Sequence, residues 1–304
     1  MQGNIKEKVA QVLQNFSTVF QENLGSVTGI QTNLILKDDA KPVFTKARPL
    51  SYAMRPKGEK ELDRLEQEGV IFKVPTSDWA TPIVPIAKKS GDVRICRDLK
   101  VTINPQLQIE QYPLPRIEDI FVSLSGGERF TKIDLTQAYL QLEVDEESKK
   151  YLTINTHKGL CRYNKLLFGI ASAPAIWQRT IDQILQRLEG VYCTLDDMVI
   201  TGKDDKEHLN NLSKVLQRLE EFNLRANKLK CYFFEDKIEY CGHIIDKHGL
   251  HKTQKKVEVV LITPEPKISN RGTCISWFGK LLSQVFTKCF NSCAPITQII
   301  RKAV

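Results

Sequence analysis

The sequence predicts an α+β fold in which an antiparallel sheet carries helices on one face and leaves the other for a ligand. Three observations lead there. Short β-type runs are joined by tight turn signals such as "SGD" and "HKG". Between them lie two stretches with apolar residues at helical spacing, 174–188 and 205–222. From about residue 131 the order is strand, hairpin, helix, acidic hairpin, helix, hairpin.

The chain has 304 residues, 41% hydrophobic and 26% charged, which suits a folded protein with a large core and argues against global disorder. The net charge of +8 favours polyanionic partners. No run approaches a membrane span, and the polar start "MQGNIKEKVAQ" lacks the apolar centre of a secretory signal, so an intracellular protein, cytoplasmic or nuclear, is expected. None of the eight cysteines forms a C-x-x-C pair, as expected of buried thiols in a reducing compartment.

Residues 4–23 read as one amphipathic helix or two short ones, and 24–50 as a polar leader or wrapping arm. A helix over 57–69 places Leu62 and Leu65 on one face and stops at Gly69. "TPIVPIAKKSGDVRICRDL" reads as a hairpin. Alternation in its second arm sets Val93 and Ile95 on one face and Arg94, Cys96 and Asp98 on the other. A proline-started helix ends at Gly126–Gly127, and "RFTKIDL" is a strand that delivers Asp134. "KYLTINTHKGLCRYNKL" forms a second hairpin. Trp177, Ile181, Ile184, Leu185 and Leu188 stripe the next helix, and Leu209, Leu212, Leu216 and Leu219 the one after the acidic hairpin. "YFFEDKIEYCGHIID" closes as a hairpin, followed by a tail of mixed signals.

The chemistry concentrates in "TLDDMVITG". Asp196 and Asp197 stand at or beside a turn between the apolar arms Val191–Leu195 and Met198–Thr201. Alone, such a pair is an ordinary solvated turn. Asp134, also at the end of an apolar strand, changes the weighing. If the strands are neighbours, three carboxylates converge, and they cannot all stay ionised without a cation. Hard oxygen donors suit magnesium, which completes its octahedron with phosphates and water, and two such ions suit in-line phosphoryl transfer.

"KIDLTQAYLQLEV", "YLTINTHKGLCRYNKLLFGIASAPAIWQRTID" and "TLDDMVITGKDDKEHLNNL" resemble the reverse transcriptases of gypsy-type LTR retrotransposon Pol polyproteins. "SDWATPIVPIAKKSGDVRICRDLKVTINPQLQIEQYPLPRIEDI" and "LRANKLKCYFFEDKIEYCGHIIDKHGLHKTQKKVE" extend the resemblance over about 43–262. It implies a right-hand polymerase: a leader over 1–42, mainly fingers over 43–130, a ferredoxin-like palm over 131–252 with a fingers hairpin near 150–167, and a diverged partial thumb over 253–304. It also implies RNA-directed DNA polymerase activity with a primed RNA or DNA template, deoxynucleoside triphosphates and two magnesium ions, or manganese in their place. Asp134, Asp196 and Asp197 become the catalytic, metal-holding carboxylates, and Tyr139 the ring that excludes a ribose 2′-hydroxyl. Arg94 with Lys88 or Lys89 would hold the triphosphate, Phe168 and Gly169 would flank the base, and Lys230 would approach the leaving phosphate. Tyr240, Cys241, Gly242 and His243 correspond to the primer-gripping hairpin.

The sequence departs from the family where a Y-x-D-D tyrosine is usual, with Thr194 in its place. Leu167 and Leu140 differ too, and no protease, RNase H or integrase motif accompanies the domain. A fragment or degenerate copy is expected on these grounds. An alternative reading follows: a nucleic-acid-binding remnant with little catalysis.

Overall fold

A computed structural model describes residues 2–87 and 91–253. Lys88, Lys89 and the tail expected as a thumb lie outside the described residues. The elements in chain order begin with α1 (Gln2–Asn15), β1 (Gln31–Thr32), α2 (Arg55–Gln67), β2 (Ile71–Lys73), β3 (Thr81–Ala87) and β4 (Val93–Arg97). Then come α3 (Ile117–Leu124), β5 (Arg129–Asp134), β6 (Glu143–Val144), α4 (Glu146–Lys149), β7 (Thr153–Thr156), β8 (Gly159–Tyr163) and α5 (Ala173–Ile184). The last are β9 (Val191–Thr194), β10 (Asp197–Gly202), α6 (Asp205–Glu221), β11 (Tyr232–Glu235), β12 (Lys237–Tyr240), β13 (His243–Asp246) and β14 (Gly249–Lys252).

The central sheet has the order β11-β5-β10-β9, antiparallel throughout. A five-stranded sheet, β2-β8-β7-β3-β4, joins the two expected hairpins through a parallel β3–β7 pair. A third sheet is β12-β13-β14.

Pleating splits the central sheet into two faces. Ile133, Met198 and Ile200 enter the main core with Ile181 and Ile184 of α5 and Leu212 and Leu216 of α6. The stripe of α6 includes two polar residues, His208 and Asn211, both buried. Asn211 Nδ2 donates to Thr201 O at 2.9 Å, and His208 Nε2 shares a 2.8 Å bond with Thr131 Oγ1, while His208 Nδ1 is buried without a hydrogen bond.

The opposite face is not wholly open, contrary to the expectation from element order. Phe130 and Val199 form a second core with Ile120 and Leu124 of α3 and with Ile238, Tyr240 and Ile245 of the β12–β13 hairpin. The closing hairpin also differs in its arms. β11 pairs with β5 in the central sheet, and β12 pairs instead with β13 through the two-residue turn Cys241–Gly242. Both turn residues have positive φ, 48° and 71°, as a type I′ turn requires. Only the end of the face at Asp134 and Asp197 extends beyond this second core, with Lys132 and Thr194 at its border against Tyr240.

The polar N-terminal stretch is a wrapping arm. Val27 N donates to Gln141 O, Thr28 N to Phe222 O, and Ala226 N to Val19 O. Lys165 Nζ reaches both Ser26 Oγ (2.6 Å) and Glu143 Oε1 (3.0 Å), and β1 adds in parallel to β6. Backbone pairing, invisible to composition, fastens it.

Candidate active site

The register places Asp197 directly across from Asp134, with Thr194 on the other side of Asp197. Asp197 is thus the first residue of β10 rather than part of the turn, and the loop is Leu195–Asp196. Asp196 O accepts from Leu135 N at 3.2 Å, which ties the turn to the end of β5. Leu195 adopts φ +57°, a left-handed conformation unfavourable for a residue with a Cβ. Two side chains of α5 hold it there. Gln178 Oε1 accepts from Leu195 N at 2.9 Å, and Trp177 Nε1 donates to Leu195 O at 2.7 Å. Gln178 Nε2 also donates to Cys193 O and to Asp182 Oδ1, both at 2.9 Å.

Lysines answer two of the carboxylates. Lys132 Nζ is 2.9 Å from Asp197 Oδ2, and Lys230 Nζ is 3.4 Å from Asp134 Oδ1. Asn227 N donates to Asp134 O and its side chain caps the short turn Lys228–Lys230, so one segment places both Asp134 and Lys230. Burial raises the Asp134 carboxyl above its ordinary value. Lys230 opposes that rise, and the charges of Asp197 and Asp196 add to it. Such a carboxylate is relieved by a divalent cation. Among the described residues, no three His, Cys, Asp or Glu groups already stand at metal-holding distance from one another. The site nevertheless fits magnesium, which needs one or two protein carboxylates and takes its other oxygens from phosphates and water.

Tyr139 stands half-buried beside the acidic turn. Its ring centroid is 6.0 Å from that of Phe168 and 6.1 Å from that of Trp177. Burial raises its phenol pKa, and the Asp196 charge raises it further, so ring and turn are electrostatic neighbours. Phe168 is 75% exposed, so its ring face is open to solvent beside Tyr139. Gly169 follows at φ +96°, its carbonyl held by Asn104 Nδ2. Arg94 lies on the exposed face of β4, as alternation predicts, in the five-stranded sheet rather than the one that carries the carboxylates.

Tyr240 is fully buried, and its hydroxyl donates to Asp197 O at 3.3 Å. Burial drives its phenol pKa up, with the Thr194 hydroxyl opposing. Thr194 Oγ1 is itself buried without a hydrogen bond of normal geometry, so it touches the phenol only through a weaker polar contact. His243 meets Phe121 edge-on at 5.1 Å. A cleft of about 650 Å³ runs from Lys132 and Asp197 past Tyr232 and Lys237 to Cys241 and Gly242.

The sequence reading missed Lys132, Trp177 as a donor, and Gln178. Lys132 carries a signal, since it lies two residues before Asp134 and therefore on the same face. Gln178 carries one too: it is a polar residue three positions before Ile181 on an apolar stripe.

An antiparallel sheet with helices on one face and facing carboxylates at the open end of the other, together with a second sheet of five strands, is the architecture of the palm and fingers of a right-hand polymerase. The model of the family described as reverse transcriptase (RNA-dependent DNA polymerase) matches residues 86–245, just over half of the 304, and the chain belongs to that family. It is 38% identical over 248 residues to the uncharacterized protein K02A2.6 of Caenorhabditis elegans, covering 81% of this chain and 19% of that one. It is 30% identical over 271 residues to the retrovirus-related Pol polyprotein from transposon opus of Drosophila melanogaster, covering 86% and 27%. The chain thus spans about a fifth to a quarter of the length of these relatives. The fold is also that of foamy viral protease-reverse transcriptase. A complex with double-stranded DNA matches with TM-score 0.79 and 19% identity, covering 88% of this chain and 47% of the other. A complex with an RNA/DNA hybrid matches with TM-score 0.78 and 19% identity, covering 88% and 36%. Among the described residues, no helix is long and apolar enough to cross a membrane.

Proposed function

We propose that this chain is the RNA-directed DNA polymerase unit of a retrotransposon Pol polyprotein, adding deoxynucleotides to a primer 3′ end. The observation that carries the reading is the register of Asp197 against Asp134 at the open end of the central sheet, beside Asp196. Asp134 and Asp196, with Asp197 beside them, would hold two magnesium ions, which supply charge neutralisation to the attacking hydroxyl and the departing pyrophosphate.

The chain's own groups do the rest. Tyr139 crowds the sugar 2′ position, and the exposed ring of Phe168 covers the incoming base beside Gly169. Arg94, with Lys88 or Lys89, neutralises the triphosphate from the fingers. Lys230, already paired with Asp134, stands to give a proton to the leaving phosphate. The turn from Tyr240 through Cys241 and Gly242 to His243 supports the primer, tethered to the carboxylate strand by the Tyr240 hydroxyl. Contacts to template and primer are expected mainly at phosphates, with little sequence preference.

The test is primer extension on an RNA template with magnesium, alongside Asp196→Asn. Extension by the parent that disappears in the variant supports the polymerase. Thr194, which gives the carboxylate strand no aromatic ring, favours a second reading as a hybrid-binding protein. A parent that binds an RNA/DNA hybrid tightly and extends nothing would establish that reading instead.

A further inference from the structure

Trp177 stands between two parts of the site that face each other. It is fully buried, its N–H donates to Leu195 O at 2.7 Å, and its ring packs edge-on against Tyr139 at 6.1 Å and 64°. Leu195 precedes Asp196 and is held at φ +57°. Rotation of either peptide group at Leu195 would swing Asp196 toward or away from Tyr139. The neighbouring Gln178 secures the N–H side of Leu195, and Trp177 secures the carbonyl side. An apolar ring at 177 would hold Tyr139 by packing alone. Only the indole N–H also ties that ring to the acidic turn.

We propose that Trp177 is a positioning residue for sugar selection: its indole fixes the gap between the Tyr139 ring and the Leu195–Asp196 turn. Discrimination between deoxyribo- and ribonucleoside triphosphates then depends on the Trp177 N–H as well as on Tyr139. The inference rests on the polymerase reading above. Exclusion of a 2′-hydroxyl is a short-range steric effect, so a shift of a few tenths of an ångström in this gap alters it.

The test compares the full chain with Trp177→Phe and with a chain carrying 3-benzothienylalanine at 177, an isostere that keeps the bicyclic shape and lacks the N–H. Single-nucleotide extension on an RNA template gives kcat/KM for dCTP and for CTP, which differ only at the 2′ position. The dCTP/CTP ratio is expected to fall about tenfold in both variants, as a loosened gap admits the 2′-hydroxyl, while kcat for dCTP falls by less than the ratio does. An unchanged ratio with a reduced kcat overturns the inference and leaves Trp177 a packing residue. Should the parent extend nothing, the polymerase reading fails separately, and equilibrium binding of dCTP and CTP to the chain on a primer–template decides this one. A preference for dCTP that the isostere abolishes supports it. A preference that the isostere retains, or a parent without any, overturns it.

Discussion

Replacement of Gln178 by leucine probes how the acidic turn is built. Gln178 is wholly buried and satisfies Leu195 N–H, Cys193 C=O and one oxygen of Asp182. Leucine keeps the volume and removes all three bonds. Asp182 retains the Tyr112 hydroxyl, 2.9 Å away, so the damage falls on the two backbone groups. Each orphaned buried group costs about 1–3 kcal/mol, with the smaller end appropriate to the partly accessible Leu195. Leucine's greater apolarity returns roughly 1 kcal/mol. The net loss is about 3 kcal/mol, or about 6–12 °C in Tm for a domain of this size. Thermal unfolding by circular dichroism measures it, and amide hydrogen exchange across 190–198 locates it. A Tm shift below about 2 °C, with exchange at Leu195 unchanged, would refute the view that α5 holds the turn. Gln178→Glu keeps the acceptor but faces Asp182 with a second carboxylate. It is expected to be at least as damaging at neutral pH and to recover as the pH falls.

Two further outcomes follow from buried contacts. Burial holds the His208 imidazole down at about 4, against 6.5 in the unfolded chain, so the unfolded state binds a proton first. Stability is then lost as the pH falls from 6.5 towards 4, by up to about 3 kcal/mol. Urea midpoints over that range should drop in the parent and flatten in His208→Gln; parallel slopes would show that another group is responsible. At the end of β10, a Cβ on Gly202 would stand 2.4 Å from His208 N and 2.6 Å from its Cα. Gly202→Ala must therefore push the first turn of α6 outward, at about 2–3 kcal/mol, and a melting temperature equal to the parent's would sink that argument.

Much of the fold was legible because its signals are local. The hairpins announce themselves by alternation and by turn residues such as Gly91 and Gly159, both at positive φ. The helices announce themselves by stripes, and Asp134 by its place at the end of an apolar strand. What was not legible depends on long-range pairing. β11 and β12 are neighbours in sequence, separated only by Asp236, yet they serve different sheets. Phe234 at φ +59° and a register shift between Tyr232 and Glu235 bend the chain between those roles. The second core over the open face follows from that bend, so element order alone could not reveal it. His208, Asn211 and Gln178 escaped notice for a different reason. Each is polar at a position whose spacing demands burial, and each bonds a strand of the central sheet. A polar residue on an apolar stripe marks where a helix grips the sheet.

The same reasoning recasts Thr194. In sequence it is a missing ring beside the carboxylates. In the fold it shares a sheet face with Asp197, and that face is met by the closing hairpin, whose Tyr240 hydroxyl bonds the Asp197 carbonyl. Lys132 lies beneath, 2.9 Å from the Asp197 carboxylate and 5.9 Å from the centre of the Tyr240 ring. The aromatic that braces the carboxylate strand therefore comes from the hairpin rather than from the strand itself. A threonine suits this arrangement because a β-branched side chain favours the strand and leaves room for the phenol. On the polymerase reading proposed above, what the substitution removes is apolar area toward the primer end rather than support for Asp197, so Thr194→Tyr is expected to change extension more than melting temperature.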